Sequence, residues 1–307
     1  MAKVLIIKIG WVEVLDNRFE DSISIGDVFR CTTILHLYKN DFVTWVTDPT
    51  ALPVLRDIKY IKRLLPYNLN TVLQLQKEYF DIVINLEKVA GVCALADSIN
   101  AWKKFGFRLN PITGDVEAYH GAQSILDISK NQKTKKGLDK TFQDFLFELV
   151  GAKWNKEEYI LGYTPKTKEV YDIGLNHIIG AKWPTKQWGD NNWKKLEEIL
   201  KRKWTVSWQK GLNNIEEYID WINSCKLIIT NDSLGLHLAL ALKKKVVAIF
   251  GPTFSNEIYM YERGTKILPP IKRDCIPCMK PVCKYKKRCI EYITVDSVVK
   301  EVENLLS

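Results

Sequence analysis

At 307 residues the chain exceeds one average domain and fits two domains of about 150 residues each. Hydrophobic residues make up 46% of it, which supports real cores, yet no apolar run approaches the roughly 18 residues that a membrane-spanning helix requires. The net charge of +9 at pH 7 indicates an anionic partner, whether a nucleotide, a lipid headgroup or a nucleic acid.

Strands alternate with helices in the first half of the chain, which is typical of a parallel sheet covered by helices on both faces. Apolar runs predict strands at residues 4–9, 42–47, around 64–65 and 81–86, and residues 141–150 predict an amphipathic helix that ends at Gly151. Around residues 163–168 the pattern loses its periodicity and becomes rich in Pro and Lys. We therefore expect two domains, 1–165 and 166–307.

The second half repeats the alternation. It predicts strands at residues 172–175, 205–208, 227–230 and 246–250, and helices at 192–200, 215–222 and 295–306. No Gly-x-Gly-x-x-Gly fingerprint and no Gly-x4-Gly-Lys-Ser/Thr loop occurs, which argues against the dinucleotide and P-loop classes.

A polar cluster follows the strand predicted at 227–230. The strand stops at Asn231, Asp232 and Ser233, and a helix begins directly after them. In an open parallel sheet, ligands bind at the carboxyl ends of strands, where the N–H groups at the start of the next helix favour anions. The sequence therefore predicts a phosphorylated ligand here. The alternative is that Asp232 and Ser233 only cap the helix, which suits both residue types.

The same stretch resembles the nucleotide-sugar motif of glycosyltransferase family 9, the family of the ADP-heptose:lipopolysaccharide heptosyltransferases. The family pattern reads Asp-Ser/Thr-Gly-Leu-x-His-Leu-Ala-x-Ala-Leu, then a strand ending in Phe-Gly-Pro-Thr. Residues 232–242 and 250–253 follow it in register, except that Leu234-Gly235 inverts the Gly-Leu order. Because Leu234 adds a side chain, the phosphate contact is expected to shift to Gly235 or Ser233. The resemblance implies a donor-binding set of Asn231, Asp232, Ser233, Leu234, Gly235, His237 and Thr253.

Two further motifs match the family. Gly26-Asp27-Val28 follows the first strand, and the resemblance implies that Asp27 is the general base that deprotonates the acceptor hydroxyl. A helix N-cap is the competing interpretation of Asp27. Residues 186–196 follow the family's Lys-x-Trp-(Pro)-x3-Trp-x2-Leu pattern, which implies that Lys186 contacts the donor phosphates, and Lys182 could share that role. Otherwise these lysines are solvated surface groups.

Four cysteines lie within fifteen residues, and thiolates so spaced can close a tetrahedral metal site. They are Cys275, Cys278, Cys283 and Cys289. Two disulfides are the alternative, but we recognise no signal peptide and expect a cytosolic protein with reduced thiols. Structural zinc is the default, while mononuclear iron or an iron–sulfur cluster suits the same ligands. Some family 9 members, among them autotransporter heptosyltransferases, carry a Cys-ligated iron.

Basic residues lie between and beside these cysteines: Lys280, Lys284, Lys286, Lys287 and Arg288. They could meet a phosphorylated acceptor or anionic lipid headgroups, or they could simply be solvated. Residues 11–25 are longer than in many family members and could form a lid or a bare surface excursion. Gln209, after a predicted strand, is a candidate for reading the donor base or a solvated loop residue.

Over nearly the whole chain the resemblance implies a GT-B architecture, with two Rossmann-like α/β domains facing across a cleft. The N-terminal domain would take the acceptor and the C-terminal one the nucleotide sugar. The implied activity is inverting transfer of a sugar, ADP-heptose being the first candidate donor, to a lipopolysaccharide-core or other cell-envelope glycan. It would proceed in the cytoplasm, with peripheral contact to the inner membrane.

Alternatives remain at this point. The acceptor could be a protein, as in autotransporter glycosylation. No Asp-x-Asp pair exists to hold a divalent metal on a diphosphate, so no catalytic metal is expected. From another class, ten Trp, thirteen Tyr and the basic residues of 280–288 suit a nucleic-acid-binding metal knuckle. The resemblance to family 9 implies no nucleic acid partner.

Overall fold

A computed structural model of the chain describes residues 1–11, 23–119, 121–131, 136–180, 183–211 and 214–307. These residues form two compact units, Met1–Tyr163 and Thr164–Ser307. The division falls between residues 163 and 164, whereas the sequence analysis expected it after residue 165. Most of the 11–25 stretch considered as a lid lies outside the described residues.

Unit 1 contains a six-stranded sheet in the order β3-β2-β1-β4-β5-β6. All pairs are parallel except β5 with β6. The strands are β1 (Lys3–Ile7), β2 (Phe42–Thr47), β3 (Ile61–Pro66), β4 (Tyr79–Asn85), β5 (Asn100–Leu109) and β6 (Val116–Ala118). This is the Rossmann order, and the chain reverses direction across the sheet between β1 and β4, where such folds bind their ligands.

Six α-helices are described in unit 1: α1 (Ile25–Arg30), α2 (Leu52–Leu55), α3 (Leu69–Leu75), α4 (Ala90–Ser98), α5 (Gln123–Lys130) and α6 (Phe142–Leu149). The start of α6 has a clear local cause, because Thr141 and Asp144 form a reciprocal capping box. Past its end, Gly151 adopts a positive φ of 75°, which glycine tolerates without strain. The apolar side chains of β1 and β4 pack against α3 and α4.

Unit 2 contains a five-stranded parallel sheet in the order β11-β10-β9-β7-β8. Its strands are β7 (Tyr171–Asn176), β8 (Val206–Trp208), β9 (Cys225–Asn231), β10 (Lys245–Ile249) and β11 (Gly264–Ile267). Its described α-helices are α7 (Asp190–Leu200), α8 (Ile215–Asn223), α9 (Leu234–Ala241) and α10 (Val295–Leu306). The strand order reverses between β7 and β9, so those strand ends are the expected ligand site.

The core of unit 2 combines the sheet with two buried tryptophans, Trp188 and Trp193, and with Val298 and Val302 of α10. The two tryptophan rings meet edge to face with centroids 5.3 Å apart. The predicted α/β class with two Rossmann-like, parallel-sheet domains is confirmed. Within the part of the chain that the structure describes, no helix has both the length and the apolar character needed to span a membrane.

Candidate active site

The predicted donor residues gather at the carboxyl ends of β9 and β10 in unit 2. Asn231 ends β9, Ser233 directly precedes α9, and Thr253 follows β10. Asn231, His237 and Thr253 are buried, whereas Asp232 and Ser233 are half-buried. The structure thus brings these residues to the edge at which the strand order reverses. Lys182, the other predicted donor lysine, lies outside the described residues.

Lys186 joins this group through an ion pair. It ends the short 3₁₀ turn Pro184–Lys186, and its Nζ lies 2.8 Å from Asp232 Oδ2, with side chains only 17% and 13% exposed. Burial by itself raises the pKa of Asp232, but the Lys186 ammonium, assisted by His237 and the Thr253 hydroxyl, lowers it to about 2. At neutral pH the site therefore holds a fixed ammonium beside an ionised carboxylate. Lys186 is not a solvated surface lysine.

Neither Asp232 nor Ser233 caps α9 through its side chain. Ser233 occupies the N-cap position but makes no capping hydrogen bond, and Asp232 is engaged with Lys186. The Ser233 hydroxyl instead accepts a hydrogen bond from Asn176 Nδ2 at 3.1 Å. The first N–H groups of α9 are thus left without a side-chain cap, which is the arrangement that suits an anionic ligand.

Gly235 has a packing reason to be glycine. A Cβ at this position would overlap Asn176 Nδ2 and the Tyr218 hydroxyl. The start of α9 can therefore lie this close to the end of β7 only without a side chain at residue 235. This gives a physical reason for glycine at residue 235, the second position of the inverted Leu234-Gly235 order.

The neighbouring strand ends are tied together by amide side chains. Asn231 Nδ2 donates to the carbonyl of His177 at 3.3 Å, and Gln209 Oε1 accepts from the backbone N–H of Ile178 at 3.2 Å. Gln209 is 6% exposed, so it is not a solvated loop residue. Its hydrogen bond holds the segment after β7. The His177 ring packs edge to face on Trp208, with centroids 4.8 Å apart.

The cysteine segment 275–289 supports two turns of this site. Cys278 N and Met279 N each donate to the Pro252 carbonyl at 2.9 Å. Thr185 Oγ1 donates to the Lys280 carbonyl at 2.7 Å, and Arg288 Nη1 donates to the Pro184 carbonyl at 2.8 Å. The segment thus holds both the turn that carries Lys186 and the turn that leads to Thr253.

All seven cysteines fall within the described ranges and are free thiols. Burial raises the pKa of Cys278, and the charges of Cys275 and Cys283 raise it further. Burial likewise raises the pKa of Cys289, which also responds to the other three thiols of the segment. The four thiols therefore lie within electrostatic range of one another. Yet no group of three or more His, Cys, Asp or Glu side chains among the described residues has the geometry to hold a metal ion.

Asp27 lies in unit 1, in the first turn of α1. The N-cap of this helix is Ser24, whose hydroxyl accepts from Asp27 N at 3.4 Å, so the N-cap interpretation of Asp27 is wrong. The Asp27 carboxylate is 27% exposed and lies 3.7 Å from Arg30 Nη1. The Arg30 guanidinium stacks on Phe142, 3.5 Å from the ring centroid. Asp27 is thus an accessible carboxylate on a packed helix.

Sequence analysis missed a buried ion pair at the β1/β4 edge of unit 1. Lys8 Nζ lies 3.2 Å from Glu87 Oε1, and both side chains are 1% exposed. The same carboxylate oxygen accepts from Gly10 N at 2.8 Å, which fixes the end of the first strand. The available signal was a lysine inside the otherwise apolar run of residues 4–9. Sequence analysis also missed Asn176 and Tyr218, which lie beneath α9, because neither residue belongs to a recognisable motif.

Residues 211–288 match the sequence profile of the family described as glycosyltransferase family 9 (heptosyltransferase). In this part of the chain, about a quarter of its length, the protein is similar to glycosyltransferase family 9. The matched stretch includes the β9 and β10 strand ends and three of the four clustered cysteines. Asp27 and Lys186 precede it, and Cys289 follows it immediately.

Over 83 residues the chain is 36% identical to lipooligosaccharide heptosyltransferase 2 of Campylobacter jejuni, a stretch that spans 27% of the chain and 26% of that protein. In structure it is similar to Escherichia coli ADP-heptose lipopolysaccharide heptosyltransferase II, with a TM-score of 0.67, 14% identity, and coverage of 99% and 98%. It is also similar to TibC, an iron-containing dodecameric glycosyltransferase of enterotoxigenic E. coli, with a TM-score of 0.60, 12% identity, and coverage of 100% and 77%. Identities this low show the fold alone, which is that of the GT-B glycosyltransferases.

Proposed function

We propose that this chain is a member of glycosyltransferase family 9 and an inverting glycosyltransferase that uses a nucleotide-diphosphate sugar, with ADP-heptose as the first candidate. The acceptor is a lipopolysaccharide-core or related cell-envelope glycan. The observation that carries the proposal is the Lys186–Asp232 pair beside Ser233 and the uncapped start of α9, at the edge where the strand order of unit 2 reverses. An ammonium beside the N–H groups at a helix start that lacks a side-chain cap suits a diphosphate.

The leaving group of such a reaction is a nucleoside diphosphate, on which negative charge grows as the sugar departs. Lys186 and the positive end of the α9 dipole are the groups that would stabilise this charge. Asp232 holds the ammonium in place through its 2.8 Å contact, so little side-chain entropy is lost when the ligand arrives. These residues need no divalent metal for that task.

The donor assignment draws support from the relatives. The matched Campylobacter protein is named a heptosyltransferase, and the E. coli structure is described as an ADP-heptose enzyme. Asp27 completes the proposal as the general base, because an accessible carboxylate can take the proton of an acceptor hydroxyl as the new bond forms. Such a reaction would take place in the cytoplasm, on the inner face of the inner membrane.

Calorimetric titration with a panel of ADP-, UDP- and GDP-sugars, without added divalent metal, tests the donor assignment. We expect ADP-heptose to bind most tightly and ADP to retain much of that affinity. A mobility-shift assay with random RNA and DNA at the same salt concentration tests the nucleic-acid alternative. Tight nucleic acid binding without nucleotide-sugar binding would contradict the proposed function.

We further propose that Cys275, Cys278, Cys283 and Cys289 hold one structural metal ion, zinc or iron. The support is chemical: four soft thiol donors lie on one segment, in electrostatic range of one another. Their side chains do not form a metal-binding geometry in this structure, so they would have to draw together around the ion. The fold relative TibC is iron-containing. Four thiolates would fill a tetrahedral shell and leave no position for substrate. The role of the ion would be to stiffen the segment that supports the turns before Lys186 and Thr253.

Elemental analysis is expected to find one metal ion per chain. Replacing any of the four cysteines by serine should lower the metal content, whereas Cys225→Ser, a matched change in the apolar core, should retain it. Because the segment supports both donor turns, metal loss should also weaken ADP binding. A metal-free preparation with full folding and activity, or two disulfides in place of the thiols, would contradict the metal site.

We also propose that the basic residues of this segment contact an anionic membrane surface. Lys284, Lys286 and Lys287 are exposed, and the nearby Val282 is 77% exposed. Basic residues close to an anionic bilayer each contribute about 1 kcal/mol of binding free energy. An exposed apolar residue among them could enter the headgroup region.

The wild-type chain should co-sediment with phosphatidylglycerol vesicles and should stay in the supernatant with phosphatidylcholine vesicles. The double change Lys284→Glu and Lys286→Glu should release the chain from the anionic vesicles. Lys194→Glu with Lys195→Glu, two exposed positions on α7, is the control with the same change in net charge. Equal release by both pairs would mean that net charge, and not this surface, governs the binding.

A further inference from the structure

A buried hydrogen-bond network lies beneath the start of α9. Asn176, which ends β7, has no exposed surface, and Tyr218 of α8 is 5% exposed. The Tyr218 hydroxyl donates to Asn176 Oδ1 at 2.6 Å. Asn176 Nδ2 donates to Thr230 Oγ1 at 2.6 Å and to Ser233 Oγ at 3.1 Å. The network therefore connects α8, β7 and β9 to the residue directly before α9.

The direction of every hydrogen bond in this network follows from Thr230. Its hydroxyl donates to the Asn231 carbonyl at 2.7 Å, so Thr230 Oγ1 can only accept from Asn176. The amide of Asn176 must then turn its NH₂ group toward Thr230 and Ser233 and its oxygen toward Tyr218. Burial raises the pKa of the Tyr218 hydroxyl above its usual range, so that group stays protonated and can donate.

The same logic determines the role of Ser233. Its oxygen accepts from Asn176, and Thr230 Oγ1 lies at a longer 3.4 Å. Because the Thr230 proton goes to the Asn231 carbonyl, Ser233 is the donor in this longer contact, and a phosphate oxygen could take over the Ser233 proton from it. Gly235 adds a steric constraint, because a Cβ there would overlap both Asn176 and Tyr218. Asn176 and Tyr218 thus set how closely the start of α9 approaches the sheet.

We propose that Tyr218 and Asn176 are positioning residues of the donor site, which orient Ser233 as a hydrogen-bond donor to a phosphate oxygen of the nucleoside diphosphate. They act through Ser233 and the first turn of α9. The inference rests on the proposed function, since it assumes that a diphosphate binds at this edge. It adds two residues that lie outside the family's sequence motif.

Tyr218→Phe tests the proposal with the smallest possible change. The ring and its stacking on Trp221, with centroids 6.0 Å apart, are kept, and only the hydroxyl is lost. Loss of one hydrogen bond should weaken ADP binding about three- to tenfold, while adenosine binding stays unchanged. Tyr171→Phe, on β7 and 38% exposed, is the matched control and should bind ADP like the wild type.

A double-mutant cycle separates positioning from a general structural effect. In a Ser233→Ala background, Tyr218→Phe should cause no further loss of ADP affinity, because its effect passes through Ser233. Thr230→Val removes the acceptor that fixes the amide and should reproduce the Tyr218→Phe loss. It also gives a second route to the test if the phenylalanine variant does not fold.

Unchanged ADP affinity in Tyr218→Phe, an equal loss of adenosine affinity, or full additivity with Ser233→Ala would each overturn the inference. The wild-type titration is read first. If the wild-type chain binds ADP, these outcomes concern the positioning residues alone. If it binds no nucleoside diphosphate, the proposed function itself fails, and the positioning role with it.

Discussion

Asp27→Asn is expected to reduce sugar transfer about a hundredfold or more, which is the usual cost of losing a general base. The substitution keeps the size of the side chain and removes its charge and basicity. Ser24, and not Asp27, caps α1, so the helix keeps its N-cap. The ion pair with Arg30 is long, at 3.7 Å, and Arg30 also stacks on Phe142, so the loss of stability should be small.

Steady-state kinetics with the acceptor in excess, together with ADP titration of the same preparations, measures this effect. We expect turnover to fall and ADP affinity to stay within about twofold, because the base acts only on the acceptor proton. Asp115→Asn, an exposed carboxylate of unit 1, is the matched control. Turnover near the wild-type value in Asp27→Asn would show that another group takes the proton.

Lys186→Ala is expected to weaken diphosphate binding by about 1–3 kcal/mol, since it removes a charge-assisted contact. Asp232, which loses its ion-pair partner in this variant, is expected to add to the loss of affinity. Asp232 is 13% exposed and is kept ionised mainly by Lys186, so without the ammonium it would present an uncompensated negative charge to the diphosphate. Adenosine, which carries no phosphate, should bind nearly as before.

Calorimetry with ADP and adenosine on three variants apportions this loss. Lys186→Ala alone removes the contact and leaves the carboxylate, whereas Lys186→Ala with Asp232→Asn removes both charges. We expect the double variant to recover part of the ADP affinity but not all of it. Lys194→Ala, an exposed lysine of α7, is the control. Equal losses for ADP and adenosine would place Lys186 away from the phosphates.

Local pattern was enough to predict many of the elements. The strand 42–47 and the helix 295–306 have the predicted bounds, because an unbroken apolar run and a regular helical stripe carry their own signal. Strands β5, β6 and β11 were not predicted. In β5 the adjacent Lys103 and Lys104 interrupt the apolar pattern, and β6 and β11 have only three and four residues. Their pairing comes from neighbouring strands, which a single sequence does not show.

The candidate site shows the same limit. Motifs at strand ends indicated Asp232 and Lys186 separately, but their 2.8 Å contact joins residues far apart in sequence. The Tyr218–Asn176 bond and the buried Lys8–Glu87 pair depend likewise on the packing of distant elements. The spacing of the cysteines predicted a set of metal ligands. The hydrogen bonds from this segment to the turns at Pro184 and Pro252 could not be predicted, because they depend on how the chain folds.

Transfer of heptose itself tests the central claim most directly. The purified chain, without added divalent metal, is incubated with ADP-heptose and a lipopolysaccharide-core acceptor, and the product is analysed by mass spectrometry and by NMR of the new anomeric centre. The account predicts an acceptor that has gained one heptose, with an anomeric configuration opposite to that of the donor. A chain that transfers no sugar from any nucleotide donor to a glycan or protein acceptor, or that transfers only with an added divalent metal, would contradict it.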